Sequence, residues 1–351
     1  MTEGNAVQRT EGAVKPSSQR TIESYALSIG AFAFVVACVA AMVRFRFEAT
    51  PIAGPESVGQ FTAIMSGAVA FATFVAGRVR VRRGQQWHPL DVLDLVAVGF
   101  AHGVIGLLSW TLVSTILEQS FIDATVFPLF VILLTGAACA VTGYVAFLSA
   151  THLDLSLLAI VLATFLLEGI IASMLTASDP HWWKEHLSAL GMTDDLSALA
   201  FNLTLIVSGL LVTVLARAAT LEVPTSNPNG IARVRLFLVL IGVFLGLVGV
   251  FAVDTHFWLH TLFASGMAVV FIVLTIRLKR YIPGVPRVFM TLGWLFDAII
   301  VVLAMLYAVS YYTLTAVELV AGTLVFTWII LFIRTSAALQ TDVQQSELAA
   351  P

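Results

Sequence analysis

Charged residues are scarce in this sequence. Only 11% of its 351 residues are Asp, Glu, Lys or Arg, whereas 59% are hydrophobic. A soluble globular protein carries about 25% charged residues, so the composition excludes that class. The net charge of −3 comes without the clustered Lys and Arg of a nucleic-acid-binding surface, so we expect no nucleic-acid partner.

Cysteine is also rare, and the two present, Cys38 and Cys139, lie inside apolar runs at different expected depths. We therefore expect structural thiols rather than a disulfide or a metal site. The sequence has no phosphate-binding Gly-rich loop with Lys, no Gly-x-Ser-x-Gly nucleophile elbow and no Cys–His pairing, so no motif indicates a reaction.

Long apolar runs dominate what is present. A helical membrane span needs about 20 mostly apolar residues, and the first run has no small-residue cleavage site, so we expect it to remain as a span. The length of the runs favours an all-α polytopic bundle over a barrel. Ten spans are predicted: Ile22–Val43, Gln60–Gly77, Val92–Leu117, Val126–Ala150, Leu155–Ala177, Ala198–Ala216, Val234–Val253, Phe257–Ile276, Val288–Ser310 and Leu314–Ile333.

The distribution of Lys and Arg predicts the orientation. If both termini are cytoplasmic, all 18 basic residues except Arg44, Arg46 and Lys184 fall on the cytoplasmic side. Cytoplasmic loops of membrane proteins carry such an excess, so we predict cytoplasmic N- and C-termini. Small residues three or four positions apart, Ala68, Ala72 and Ala76 in one span and Gly242, Gly246 and Gly249 in another, predict helix-packing faces.

The longest polar stretch between spans, Ser178–Asn202, then faces outward. Trp183, Leu187 and Leu190 recur at helical spacing, which predicts a short amphipathic helix over Trp182–Leu190 at the headgroup level. Gly191 is placed to end that helix in a left-handed conformation. The alternative is a plain surface hairpin anchored by its tryptophans.

Ionisable residues inside spans are costly and therefore functional candidates. His102, Glu168 and Asp297 lie near the predicted midplane with no Lys or Arg at their depth. We expect carboxyl groups there to be protonated, which suits either a proton or ion relay or a structural hydrogen bond to a neighbouring span.

A second layer lies at the predicted outer face. His186, His260 and Glu318 are the catalytic or headgroup-binding candidates, and we expect them to converge in one site. A hydrated interfacial histidine is the alternative for each. The binding candidates in this layer are Ser188, Asn202, Trp182, Trp183 and Asp254.

Metal binding has weak support. His256 and His260 are four residues apart, a spacing that places two ligands on one helix face, but Phe257 occupies the position where a metalloprotease motif has Glu. His181 and His186 are five apart and would diverge on a helix. Zinc needs three or four converging ligands, so we predict no metal and no cofactor.

The stretch from Ser178 onward resembles a bacterial family of uncharacterised membrane proteins, domain of unknown function 998, which is distantly similar to the eukaryotic Frag, DRAM and Sfk type proteins. The resemblance covers about Leu155–Phe332 and includes His260-Thr261-Leu262-Phe263-Ala264. Its other matching positions are Ser188, Leu190, Gly191, Phe201, Asn202 and Gly209.

This resemblance implies a multi-pass protein of the bacterial plasma (inner) membrane that works on or around lipids. We predict a disordered tail (1–21), a four-helix part (22–150), a six-helix family-like domain (151–335) and a second disordered tail (336–351). Three functions compete, in this order: a non-enzymatic role in lipid or envelope organisation or as a membrane-protein partner, a secondary transporter with midplane carboxylates, and an outward-facing lipid hydrolase or transferase. No internal repeat supports the transporter.

Overall fold

The computed structural model describes residues 19–121, 125–192, 194–221 and 227–348, with the side chains of 125 and 339–348 left out. Within them, ten helices are long and apolar enough to cross a membrane, which confirms the ten predicted spans. They are α1 (Gln19–Phe45), α2 (Val58–Val81), α3 (Pro89–Ser120), α4 (Pro128–Thr151), α5 (Leu155–Thr176), α6 (Leu196–Leu221), α7 (Pro228–Val250), α8 (Phe257–Tyr281), α9 (Arg287–Ala308) and α10 (Leu314–Leu348).

Helix boundaries follow the local chemistry of capping. Pro89, Pro128 and Pro228 stand in the first turn of α3, α4 and α7, where a missing N–H costs nothing. Asp154 accepts the N–H of Leu157 at 2.7 Å and so caps α5. The last helix runs on to Leu348, into the segment predicted as a disordered tail. Residues 1–18 of the first predicted tail lie outside the described part of the chain.

Contacts between loops show that consecutive helices alternate in direction. The short strands β1 (Thr50–Pro51) and β2 (Thr125–Val126) pair antiparallel, which joins the α1–α2 connection to the α3–α4 connection. The N–H of Leu187, before α6, donates to the Glu318 carboxylate near the start of α10. We call this side of the bundle the loop face.

The opposite side, the terminal face, carries the basic residues. Arg217 at the end of α6 pairs with Asp94 near the start of α3, and Arg78 of α2 donates to the carbonyl of Ala150 at 3.3 Å. Of the basic residues that the structure describes, only Arg44, Arg46 and Lys184 lie toward the loop face. An excess of positive charge is typical of cytoplasmic segments, so the predicted cytoplasmic termini correspond to the terminal face.

Two groups of helices share one core. In the first group, α1 packs on α4, and α2 packs on both α3 and α4. In the second, α5 packs on α6, α6 on α7 and α7 on α8. Helix α5 also contacts α3 and α10. The main apolar cluster runs from Phe74 of α2 through Phe165 and Phe271 to Trp328 of α10, so the two predicted parts are continuous in their interior.

Candidate functional site

The side chain of His260 lies at the centre of a buried cluster on the loop face. Its Nδ1 is 2.8 Å from the carbonyl oxygen of Phe251, and its Nε2 is 3.0 Å from Oγ of Ser188. A carbonyl only accepts, so in the neutral ring Nδ1–H donates to Phe251 and Nε2 accepts from the Ser188 hydroxyl. His260 is 6% exposed and Ser188 is 9% exposed. The alternative of a hydrated interfacial histidine is therefore wrong for His260.

Glu318 of α10 contacts the backbone of Leu187 and of Ser188, the residue whose hydroxyl bonds to His260. Its Oε2 accepts the N–H of Leu187 at 2.6 Å, and the carboxyl group also accepts the N–H of Ser188. Glu318 and His260 thus hold the backbone and the side chain of Leu187–Ser188 respectively. His260 and Glu318, two of the three residues predicted to converge, therefore contact the same loop segment and dock it onto α8 and α10.

His186 completes this cluster. It is partly buried, and its Nδ1 is fully enclosed without a hydrogen-bond partner among the described residues. Burial lowers the pKa of the His186 imidazole below its usual range, with the neighbouring Glu185 raising it and His260 lowering it further. A neutral ring with one unpaired nitrogen is therefore enclosed in the loop.

Asn202 of α6 fixes the other end of the loop. Its Nδ2 donates to the carbonyl of Gly191 at 3.1 Å. A Cβ at Gly191 would lie 2.6 Å from Oδ1 of Asn202 and 2.9 Å from the Phe201 ring. Gly191 is thus needed for close approach, and its φ is not positive, so the predicted left-handed helix end is wrong.

The loop is not the predicted single helix over Trp182–Leu190. It forms two 3-10 turns, Trp182–Lys184 and Leu187–Gly191, separated by Glu185 with ψ −88° and by an extended His186. The physical reason is that Leu187 and Ser188 give their N–H groups to Glu318 instead of to a helix. Leu190 is buried as the stripe predicts, but Trp183 is 49% exposed.

The two tryptophans and Asp254 take different positions. Trp182 packs partly buried against the cluster of Leu190, Phe201 and Leu205. Trp183 lies at the surface with the Lys184 ammonium 5.6 Å from its ring centre. Asp254 is exposed. Of these three binding candidates, only Trp182 joins the interior of the loop.

The histidine pair His256 and His260 does not share a helix face. His256 precedes α8 with φ −136° and ψ 52°, is exposed, and contacts Thr255 and the Phe251 ring. Both ring nitrogens of His260 are already bonded. The spacing argument for a metal pair is therefore wrong, because it assumes that both residues are helical.

The three midplane candidates have separate partners. His102 bonds to the carbonyl of Val98 and to Ser149, both at 2.8 Å. Glu168 accepts from Ser109 at 2.9 Å, and Asp297 accepts from Thr275. In the described part of the chain no hydrogen bond joins one candidate to another, and each bonds to a neighbouring span, while the relay stays a prediction. The sequence did not predict which hydroxyl each candidate bonds to, since periodicity does not show which helices pack together.

A lateral apolar groove between α2, α3 and α6 has a volume of about 480 Å³. Its floor is formed where α2 and α3 meet at Gly67 and Gly103: a Cβ on Gly67 would be 2.9 Å from the Gly103 carbonyl. Thr204 is the one polar residue in its wall. The other lining residues include Ile64, Ala68, Phe71, Phe100, Val104, Leu107, Leu108, Leu196, Leu199, Ala200 and Leu203.

The sequence did not predict the groove, because hydropathy marks a residue as apolar without showing whether it faces a neighbour or a gap.

Comparisons of the chain with protein-family models, with curated proteins and with solved structures found no match. The resemblance noted from the sequence therefore stays a prediction, and the chain is described by its architecture as a multi-pass helical membrane protein.

Proposed function

We propose that this membrane protein binds lipid without chemical turnover, with one acyl chain in the groove between α2, α3 and α6. The observation that carries the proposal is the match between the groove and one bilayer leaflet. On α6 the groove runs from Leu196 to Thr204, which is about 12 Å at 1.5 Å per residue. Half of a hydrocarbon core of about 30 Å is about 15 Å.

The position of the groove supports the same occupant. Leu196 is the first residue of α6, so one end of the groove lies at the membrane boundary on the loop face and the other near the midplane. Its walls are apolar and include exposed Ala68, Phe71 and Leu199. A volume of about 480 Å³ falls within the roughly 300–1,000 Å³ of pockets that bind small molecules.

The resemblance to domain of unknown function 998 supports this reading by analogy, since its distant eukaryotic relatives imply work around lipids. We place the protein in a bacterial plasma membrane with its loop face outward. The docked part of the central loop, residues 178–192, is then available to a membrane-protein partner. The role is lipid organisation in the outer leaflet.

Photolabelling in the native membrane tests the proposal. A phospholipid with a diazirine midway along one acyl chain is added to membranes that contain the full-length protein, and the labelled peptides are mapped. We expect labels on α2, α3 and α6 at the groove. Ala68→Phe should fill the groove and remove this labelling, because the Ala68 side chain is exposed within it.

Ala76→Phe is the matched control, since Ala76 is also exposed on the same helix but does not line the groove. Labelling should survive in this variant. Labels spread evenly over every exposed helix surface, or equal labelling of the Ala68→Phe and Ala76→Phe proteins, would reject the proposal.

A second candidate function, an acyl hydrolase or transferase, rests on the Ser188–His260 hydrogen bond. The ring accepts the serine proton at Nε2 and is oriented through Nδ1, as a nucleophile and its base require. The Ser188 N–H, however, already donates to the Glu318 carboxylate, so it is not free to donate to a substrate. Covalent labelling of Ser188 by a fluorophosphonate, lost in Ser188→Ala, would favour this enzyme; an unlabelled Ser188 would exclude it.

A further inference from the structure

A second, larger cavity opens on the loop face between α1 and α2. Both helices pack on α4 and barely touch each other, which leaves a cleft of about 1030 Å³. Its lower wall is apolar, with Val43, Phe61 and Met65 among the lining residues. We call this cavity the α1–α2 cleft.

The rim of the α1–α2 cleft carries charges of both signs. Arg44, Arg46, Glu48 and Glu56 all line it. Among the described residues, Arg44 and Arg46 are two of the three basic ones on the loop face. The Arg44–Glu56 ion pair is long, at 3.6 Å, and the Glu56 side chain is 86% exposed, so this contact is weak and open to exchange with a ligand. A zwitterion complements such a rim better than an anion does.

The backbone of the rim is held in an unusual conformation. Arg46, Phe47 and Glu56 have φ values of 50°, 62° and 58°, and with Ser310 they are the non-glycine residues at positive φ among the described residues. Left-handed conformations of such residues concentrate at ligand sites, where the surrounding structure enforces them. Here Arg46 and Glu56 line one cavity, and Phe47 lies in the chain between its lining residues Arg46 and Glu48.

Several hydrogen bonds hold this rim in place. The strand β1 pairs with β2, the N–H of Gly59 donates to the Ile52 carbonyl at 2.9 Å, and the N–H of Glu48 donates to the Phe45 carbonyl at 2.8 Å. The N–H of Glu56 donates to the Gln60 side chain at 2.8 Å. A rim built before the ligand arrives loses less entropy on binding.

We propose that the α1–α2 cleft binds a zwitterionic phospholipid with a free ammonium group. The phosphate contacts Arg46 and Arg44, the ammonium contacts Glu48 and Glu56, and the acyl chains lie against Val43, Phe61 and Met65. This site is separate from the groove and does not depend on it. The proposal assigns a headgroup class, which the apolar groove does not.

Native mass spectrometry of the full-length, delipidated protein tests this site. The Ala68→Phe variant serves as the parent, so that retained lipid reports on the cleft rather than on the groove. Dioleoyl phosphatidylethanolamine and dioleoyl phosphatidylglycerol are compared, because they share chains and phosphate but only the first has an ammonium. We expect the first to be retained more strongly, and soluble glycerophosphoethanolamine to compete poorly.

Two substitutions separate the two charges. Arg46→Gln should weaken retention of both lipids by roughly fivefold, the effect of losing one exposed charge contact. Glu48→Gln should weaken retention of phosphatidylethanolamine alone. Lys184→Gln removes a loop-face cation that does not line the cleft. This substitution should leave the retention of both lipids unchanged.

Three results would each overturn the proposal: equal or stronger retention of phosphatidylglycerol by the parent, Arg46→Gln and Glu48→Gln proteins that behave like Lys184→Gln, or competition by the soluble headgroup as strong as by the lipid. Failure here with intact photolabelling of the groove rejects the cleft alone. If the unsubstituted protein shows no labelling at the groove but selectivity for phosphatidylethanolamine is retained, the groove site alone is rejected.

Discussion

At the scale of single residues, burial separates side chains that look equivalent in sequence. His256 and His260 are one turn apart, yet only His260 is enclosed and bonded on both ring nitrogens. Membrane topology was enough to predict that the loop holding His186 meets His260 and Glu318 on one face. It was not enough to predict their partners, because the contacts depend on the path of a non-helical loop.

Replacement of His260 should therefore destabilise the protein. His260→Ala leaves the Phe251 carbonyl and the Ser188 hydroxyl without their partner, and an unpaired buried polar group costs about 1–3 kcal/mol. The free energy of unfolding, measured by denaturant titration in detergent, should fall by that amount. The control His256→Ala, at an exposed position, should stay within about 0.5 kcal/mol; equal effects of the two would contradict the contacts described.

His186 should make docking of the central loop depend on pH. Burial lowers the pKa of His186 below its ordinary 6.5, so the undocked loop binds a proton at a higher pH than the docked loop. Docking is thus most stable above about 6.5 and weakens as the pH falls below it. Hydrogen-exchange protection of 187–191 should drop over that range and lose this dependence in His186→Gln. A protection profile that is unchanged by His186→Gln would refute this role.

At the scale of elements, small residues permit close helix packing without specifying where it occurs. The predicted face of Gly242, Gly246 and Gly249 does contact α6: Cβ atoms on Gly242 and Gly249 would lie 2.6 Å from the carbonyls of Gly209 and Asn202. The predicted face of Ala68, Ala72 and Ala76 is wrong, since all three are exposed. Neighbouring small residues, among them Gly67, make the close helix contacts of α2 instead. Spacing alone could not distinguish the two faces of this helix.

The α6–α7 contact yields a matched pair of substitutions. A Cβ on Gly209 would lie 2.4 Å from the Gly242 carbonyl, whereas a Cβ on Gly246 meets nothing closer than 3.8 Å. Gly209→Ala should lower the free energy of unfolding by about 1–3 kcal/mol through overpacking. Gly246→Ala should be neutral or slightly stabilising, because Ala favours a helix by up to about 1 kcal/mol. Two variants of equal stability would argue against this close packing.

At the scale of the whole molecule, hydropathy and charge predicted the ten spans and their alternating direction, because both are properties of individual residues. The arrangement of helices was not predictable in this way. The groove and the α1–α2 cleft both arise from gaps beside α2, and a gap depends on which helices do not meet. The strained rim at Arg46 and Glu56 likewise has no signal in composition.

Single cysteines test the orientation of the molecule. In a background where Cys38 and Cys139 are replaced by Ala, a cysteine at Glu185 should react with an impermeant maleimide from outside intact cells. One at Arg83 should react only after the membrane is opened. Both positions are exposed, and Arg83 is preferred to Arg82 because Arg82 pairs with Asp91 at 3.2 Å. Labelling of both from one side would overturn the topology.

The central claim is that the gap between α2, α3 and α6 is a lipid site, and a density map of the protein in lipid nanodiscs tests it most directly. We predict continuous density for one acyl chain from Leu196 to Thr204, ending in a headgroup at the loop face. A groove filled by a helix of a second copy, or one whose density matches the lipid around every other helix, would contradict the account.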